Sequence, residues 1–264
     1  MLSFFGTWPG YDRLNYAQRF RLIRQAGFDG VCLGWIEKYE RPDYRDQPAF
    51  ARREGLLVEN IHADFLSANH IWEDTQEGQA VFEYYLRCVD DCAAFEIPAM
   101  VIHADIGHNP PPVGALGFAR FGRLIDRAER RGVTIAVENL TRTAQVDRAR
   151  LLLERFDSPR FGFCFDSGHQ NICRVGHEWL ARWPERLMAL HLHDNDGSED
   201  QHLLPFDGNI GWPALMQAIA ATGYPGAVAL EVLHMGHEAL LSEEFLALAY
   251  ERAKRLEGFM KEAA

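Results

Sequence analysis

The run LMALHLHD at 187–194 decides how this chain is read, and three runs like it stand around it: TIAVEN at 134–139, FGFCFD at 161–166 and AVALEV at 227–232. Each is an apolar segment of strand length that carries a carboxylate or an imidazole towards its carboxyl end. Upstream the same format recurs as LSFFG (2–6), GVCLG (30–34), VENIHA (58–63) and AMVIHA (99–104). Stretches with helical spacing lie between the runs, among them YAQRFRLIRQAGF, QAVFEYYLRCVDDCAAF and FARFGRLIDRAERRG. Several end in glycine just before the next strand, the usual helix stop. Eight strand-then-helix units predict an α/β protein, a single (β/α)8 TIM barrel, for which roughly 250 residues suffice. No linker or shift in composition divides the chain, so residues 1–264 are expected to form one domain. The competing doubly wound fold lacks its G-x-G-x-x-G signature after the first strand.

Composition narrows the chemistry. Asp and Glu number 38 against 27 Lys and Arg, a formal net charge of −11, and residues 201–250 contain no Lys or Arg. A polyanion needs phosphate contacts around the mouth that binds it, so no nucleic-acid partner is expected. Only Lys38, Lys254 and Lys261 are lysines, and none falls on a predicted strand. Schiff-base and pyridoxal chemistry therefore lack a nucleophile in the barrel. The five cysteines form no C-x-x-C pair and read as free thiols. MLSFFGTWPG has no basic start followed by an apolar core, and no run of 18 or more apolar residues occurs. A cytoplasmic protein without a membrane partner is expected.

The polar residues that interrupt the strands all do so at one end. His62 ends strand 3, His103 strand 4, Glu138 strand 5 and Asp166 strand 6; His191 and His193 end strand 7, and Glu231 lies near the end of strand 8. The carboxyl end is where barrels build active sites. A buried Glu inside AVEN or ALEV costs several kcal/mol unless it is paired or coordinated. The loops add His169, three residues after Asp166, and then Asp200 and His202. Imidazole and carboxylate without thiolate suit Mn2+, Mg2+, Co2+ or Zn2+. Trp8 and Trp35, after strands 1 and 2, are candidates for the wall of a substrate pocket. His70, His108, His177, His234 and His237 read as ordinary loop or surface residues.

ENL (138–140), FDSGH (165–169), HLHDNDG (191–197), DQH (200–202), GNIGW (208–212) and LEV (230–232) together resemble the xylose-isomerase-like TIM-barrel superfamily, which takes in sugar isomerases and epimerases and the endonuclease IV group. The resemblance implies one divalent metal held by Glu138, Asp166, His191 and Glu231. Of the two strand-7 histidines, His191 is taken as the ligand because it precedes the acidic residue by three. The resemblance further implies that Glu138 and Glu231 serve as acid and base across a cis-enediolate of a small keto sugar or polyol-derived substrate. His169 then contacts substrate oxygen, with His62, His103, His193, Arg142 and Trp35 as further substrate-binding residues and Arg174 as another candidate. Dehydration shares the first step. A homo-oligomer is compatible with this family.

Two alternatives stay open. His62, His103, His169, Asp200 and His202 match additional metal ligands of the endonuclease IV branch, which implies a trinuclear zinc phosphodiesterase. A non-catalytic sugar-binding barrel is the other. The acidic mouth favours the isomerase or epimerase.

Overall fold

A computed structural model of the chain describes residues 1–36 and 43–262, so Lys38 lies outside the described residues. Eight parallel strands alternate with helices as a single (β/α)8 TIM barrel: β1 (Leu2–Gly6), β2 (Gly30–Trp35), β3 (Leu57–Ala63), β4 (Ala99–Ile102), β5 (Thr134–Glu138), β6 (Phe161–Asp166), β7 (Leu187–His191) and β8 (Val228–Val232). Strands pair in chain order, and β1 also pairs with β8 over Leu2–Gly6 and Val228–Val232. The circle closes just past β7: the Leu192 N–H donates to the Ala229 carbonyl at 2.9 Å, and the Glu231 N–H to the Leu192 carbonyl at 3.1 Å.

Period-2 alternation decides what each strand residue meets. Ile135, Val137, Phe163, Phe165 and Leu190 point outward and join the main core beneath the helices. Val101, Ala136, Cys164 and Ala189 form a separate small cluster. Each lies two residues before His103, Glu138, Asp166 or His191, on the same face of its strand, so the ligand-type residues stand on a floor of small side chains.

The outer layer comprises α1 (Tyr16–Ala26), α2 (Gln47–Arg53), α3 (Gln76–Ala94), α4 (Ala115–Arg131), α5 (Thr143–Arg155), α6 (Ser167–Cys173), α7 (Trp179–Arg182), α8 (Trp212–Ala221) and α9 (Ser242–Glu262). In α4 the buried residues Phe121, Leu124, Ile125 and Ala128 fall at helical spacing and Gly132 ends the helix in the left-handed conformation, as the sequence predicts. Asn15 opens α1 with a reciprocal capping box to Gln18. None of the described helices is long and apolar enough to cross a membrane.

Candidate metal centre

Strand ends deliver the side chains. Glu138, at the end of β5, is 1 % exposed and meets imidazoles on both carboxylate oxygens. Its Oε2 lies 3.2 Å from His62 Nε2 and 3.0 Å from His103 Nε2; its Oε1 lies 3.2 Å from His191 Nδ1. His191 Nδ1 is also 2.8 Å from Glu231 Oε2, although the two are not aligned as a hydrogen bond. Asp166 ends β6 and caps α6, its Oδ1 accepting the His169 N–H at 2.7 Å. The cap turns the chain so that His169 Nε2 reaches Asp200 Oδ2 at 3.1 Å, and His202 Nε2 lies 3.3 Å from the same oxygen.

Three donor groups result, the first two sharing Glu138: His62, His103 and Glu138 (inner); Glu138, Asp166, His191 and Glu231 (middle); His169, His193, Asp200 and His202 (outer). A fourth combination joins His62, His191 and Glu231. Two features fit these donors to divalent cations. Donors held about 2.1 Å from one tetrahedral ion stand roughly 3.4 Å apart, close to the separations above. In addition, His62, His169 and His202 turn Nδ1 to backbone carbonyls, those of Ala63 at 3.0 Å, Asn139 at 2.9 Å and Glu231 at 3.1 Å. An Nδ1–H so engaged fixes the tautomer and leaves the Nε2 lone pair facing the centre, as in metal-ligating histidines.

The electrostatics carry the same signature. Burial alone would raise the Glu138 carboxyl, but the His191 and His103 imidazoles around it hold it well below the usual carboxylate range. Burial opposes the imidazolium of His169, yet Asp166 and Asp200 carry it well above 6.5. His202 is likewise disfavoured by burial and is pushed up to about 9, chiefly by its contact with Asp200. His103, by contrast, is lowered, because burial outweighs its contact with Glu138. Protons on imidazoles thus offset the crowded carboxylates, a task that cations would take over.

The remaining sequence candidates fall in different places. Trp35 does not face the mouth. It is fully buried, pointing outward from β2, and its Nε1–H donates to Asp91 of α3 at 3.0 Å. The strand pleat explains this, since neighbouring Gly34 takes the inward position beside His62. Trp8 is 1 % exposed, packs edge-on against Tyr11 and lines a small cavity together with Phe5, Tyr16 and Gly34. His193 is 0 % exposed and is a member of the outer donor group, its Nε2 3.1 Å from Asp166 of the middle group. Arg142 is exposed on the β5 loop and donates to His108 at 2.7 Å. Arg174 donates to Asn171 at 2.9 Å.

Four contributors were not assigned from sequence. Asn139 exchanges both amide groups with the Asp166 backbone, at 2.9 and 2.8 Å. Asp194 accepts from the backbones of Asn195, Phe206 and Ile210 and from the Trp212 indole, fixing the loop that carries His202. Phe5 and Phe65 wall the inner group, with ring centroids 6.1 and 5.5 Å from that of His62. The Asn beside Glu138 and the Asp in HLHDN were visible signals; nothing in the sequence singled out the two phenylalanines among 17.

A parallel barrel with imidazoles and carboxylates gathered at its carboxyl rim defines a TIM barrel with a metal-type centre. The family model described as "Xylose isomerase-like TIM barrel" matches residues 20–251, and the chain belongs to that family. It is 35 % identical to uncharacterized protein y4fM of Sinorhizobium fredii, over 97 % of this chain and 94 % of that one. The solved structure of IolI protein with a binding zinc atom superposes with a TM-score of 0.80 at 16 % identity, covering 100 % of this chain and 99 % of that one. D-allulose 3-epimerase from Methylomonas sp. superposes with a TM-score of 0.75 at 15 % identity, covering 97 % and 98 %. At these identities the two structures establish the shared fold.

Proposed function

We propose that this chain is a divalent-metal-dependent sugar isomerase or epimerase. The observation that carries the proposal is the convergence of Glu138, Asp166, His191 and Glu231, from four strands, with donor atoms within 4.8 Å of one another. These four residues would hold the ion, and neighbours of the same fold include a zinc-containing protein and a ketose 3-epimerase. When bound, the cation supplies Lewis-acid polarisation of a carbonyl. In this reading Glu231, whose side chain is 15 % exposed against 1 % for Glu138, exchanges a proton with a sugar carbon. Glu138 is the partner on the second strand, and His169 is the group placed to hold a substrate hydroxyl. Proton transfer of this kind contributes about 10²–10⁴-fold.

A second function is favoured by one observation: the inner and outer groups add donors for further ions, a set that suits a trinuclear zinc phosphodiesterase. The cation-free stretch 201–250 weighs against a nucleic-acid substrate. Metal analysis combined with a keto-sugar panel in D2O with added Mn2+ tests both. Solvent deuterium entering a sugar supports the isomerase or epimerase. Three zinc ions per chain with phosphodiester cleavage, and no deuterium in any sugar, would replace it.

A further inference from the structure

His193 is the one donor of the outer group whose surroundings are shaped for it on every side. Four consecutive residues of the D-S-G-H segment, 166–169, all touch it. The Asp166 carboxylate lies 3.1 Å from its Nε2 through either oxygen. The Ser167 hydroxyl brackets its backbone, donating to the His193 carbonyl at 2.7 Å and accepting the His193 N–H at 3.0 Å. Gly168 makes room for the ring: a Cβ there would stand 2.0 Å from His193 Cε1 and 2.5 Å from Nδ1. The backbone of Gly168 is not in the left-handed region, so steric space and not conformation demands glycine at this position. His169 meets the ring edge-on at 5.9 Å. The His193 ring also stacks on His202, with centroids 3.9 Å apart and planes 11° apart.

Two geometric facts set His193 between the middle and outer groups. Its Nε2 lies 3.1 Å from both Asp166 oxygens and 3.7 Å from Asp200 Oδ1, so the ring reaches the middle group as well as its own. Its ring also lies flat against that of His202, with planes 11° apart, so the two imidazoles fix one another's tilt. We propose that His193 is a positioning residue that ties Asp166 of the middle group to His202 of the outer group, and that the Ser167–Gly168 step exists to seat it. The inference rests on the metal-centre reading above and concerns neither the substrate nor the reaction.

The test uses the intact chain with three substitutions at position 193 and one at 168. Metal content after equilibration with Co2+ or Zn2+ is read by elemental analysis, and the Co2+ ligand field by visible absorption. His193→Ala loses support for Asp166 and His202, and affinity for the outer ion falls about 10–100-fold, the usual effect of removing a residue that orients ligands. His193→Gln, which restores an N–H donor near Nε2, recovers most of that affinity with Co2+ band positions unchanged; His193→Phe, which restores only the stack, does not. Gly168→Ala lowers Tm and outer-ion affinity in the wild-type background but costs nothing further alongside His193→Ala, since the vacated ring space accepts the added methyl.

Unchanged metal binding by His193→Ala overturns the proposal. So does a Gln variant that binds no better than Ala, or one whose Co2+ bands shift as if a ligand had been exchanged. Equal losses from Gly168→Ala in both backgrounds also overturn it. A wild-type chain that takes up no Mn2+, Co2+ or Zn2+ instead sinks the metal-centre reading, whereas normal uptake with silent His193 variants sinks this inference alone.

Discussion

Glu138 and Glu231 are chemically identical residues given different environments by their strands. Glu138 is enclosed by four imidazoles, those of His62, His103, His169 and His191, and bridges two donor groups, whereas Glu231 retains some exposure and has one close imidazole, that of His191. Bridging suits a fixed ligand; partial exposure suits a group that must reach substrate. Glu231→Gln is therefore expected to cut solvent-deuterium exchange into the responsive sugar by about 10²–10⁴-fold, with the circular dichroism spectrum unchanged. Retained full exchange would remove Glu231 from the proton transfer. Residue identity on the rim was legible in the sequence because a carboxylate or imidazole in an apolar strand is costly unless it is used. Direction was not always legible. Trp35 stands next to Gly34, and which of the two faces inward follows from strand register, where Gly34 pairs with His62.

At the scale of elements, strand boundaries were readable nearly to the residue: β1 and β6 coincide with the quoted runs LSFFG and FGFCFD. Their apolar character and the glycines between units leave few alternatives. The β7 loop was less readable, because its shape depends on contacts distant in sequence. Asp194 accepts from Asn195, Phe206, Ile210 and Trp212, and its backbone exchanges hydrogen bonds with Leu203 at 2.9 Å in both directions. His202 itself sits at φ 49, a conformation uncommon for a residue other than glycine, which the loop holds in place. Asp194→Ala leaves four donors without their acceptor and is expected to cost on the order of 3 kcal/mol in urea denaturation. Limited proteolysis should then open the chain between 195 and 212. Unchanged stability would show that the loop is held by its apolar contacts instead.

The whole molecule behaves as a charge balance around one rim. Without metal, His202 at about 9 and the raised His169 and His191 favour their charged forms on folding. The contribution of His202 is fully present below the unfolded value of 6.5 and is lost as pH rises through about 9, and those of His169 and His191 are lost as pH rises through their own raised values. The lowered carboxyls of Glu138 and Glu231 act in the opposite sense: their contribution is present above 4.5 and is lost as pH falls through their depressed values. Metal-free protein is thus expected to be most stable between about pH 4.5 and 6.5. Divalent ions displace imidazole protons, so Mn2+ or Zn2+ should raise Tm most above pH 7 and release protons on binding. Thermal melts across pH in EDTA and in excess metal, with proton release measured in unbuffered solution, check this; a metal-induced gain that grows towards low pH would contradict it.

The sequence by itself determined the barrel, the rim and the kinds of donor gathered there. Those properties follow from local periodicity and from the energetic cost of burying charge, both of which are written along the chain. The tertiary structure decided how the donors divide into groups, that Trp8 and Trp35 belong to the core, and that His193 packs against the D-S-G-H segment. Each of those outcomes depends on strand register and on loops folding back across the barrel end, where residues far apart in sequence meet at distances that no spacing along the chain specifies.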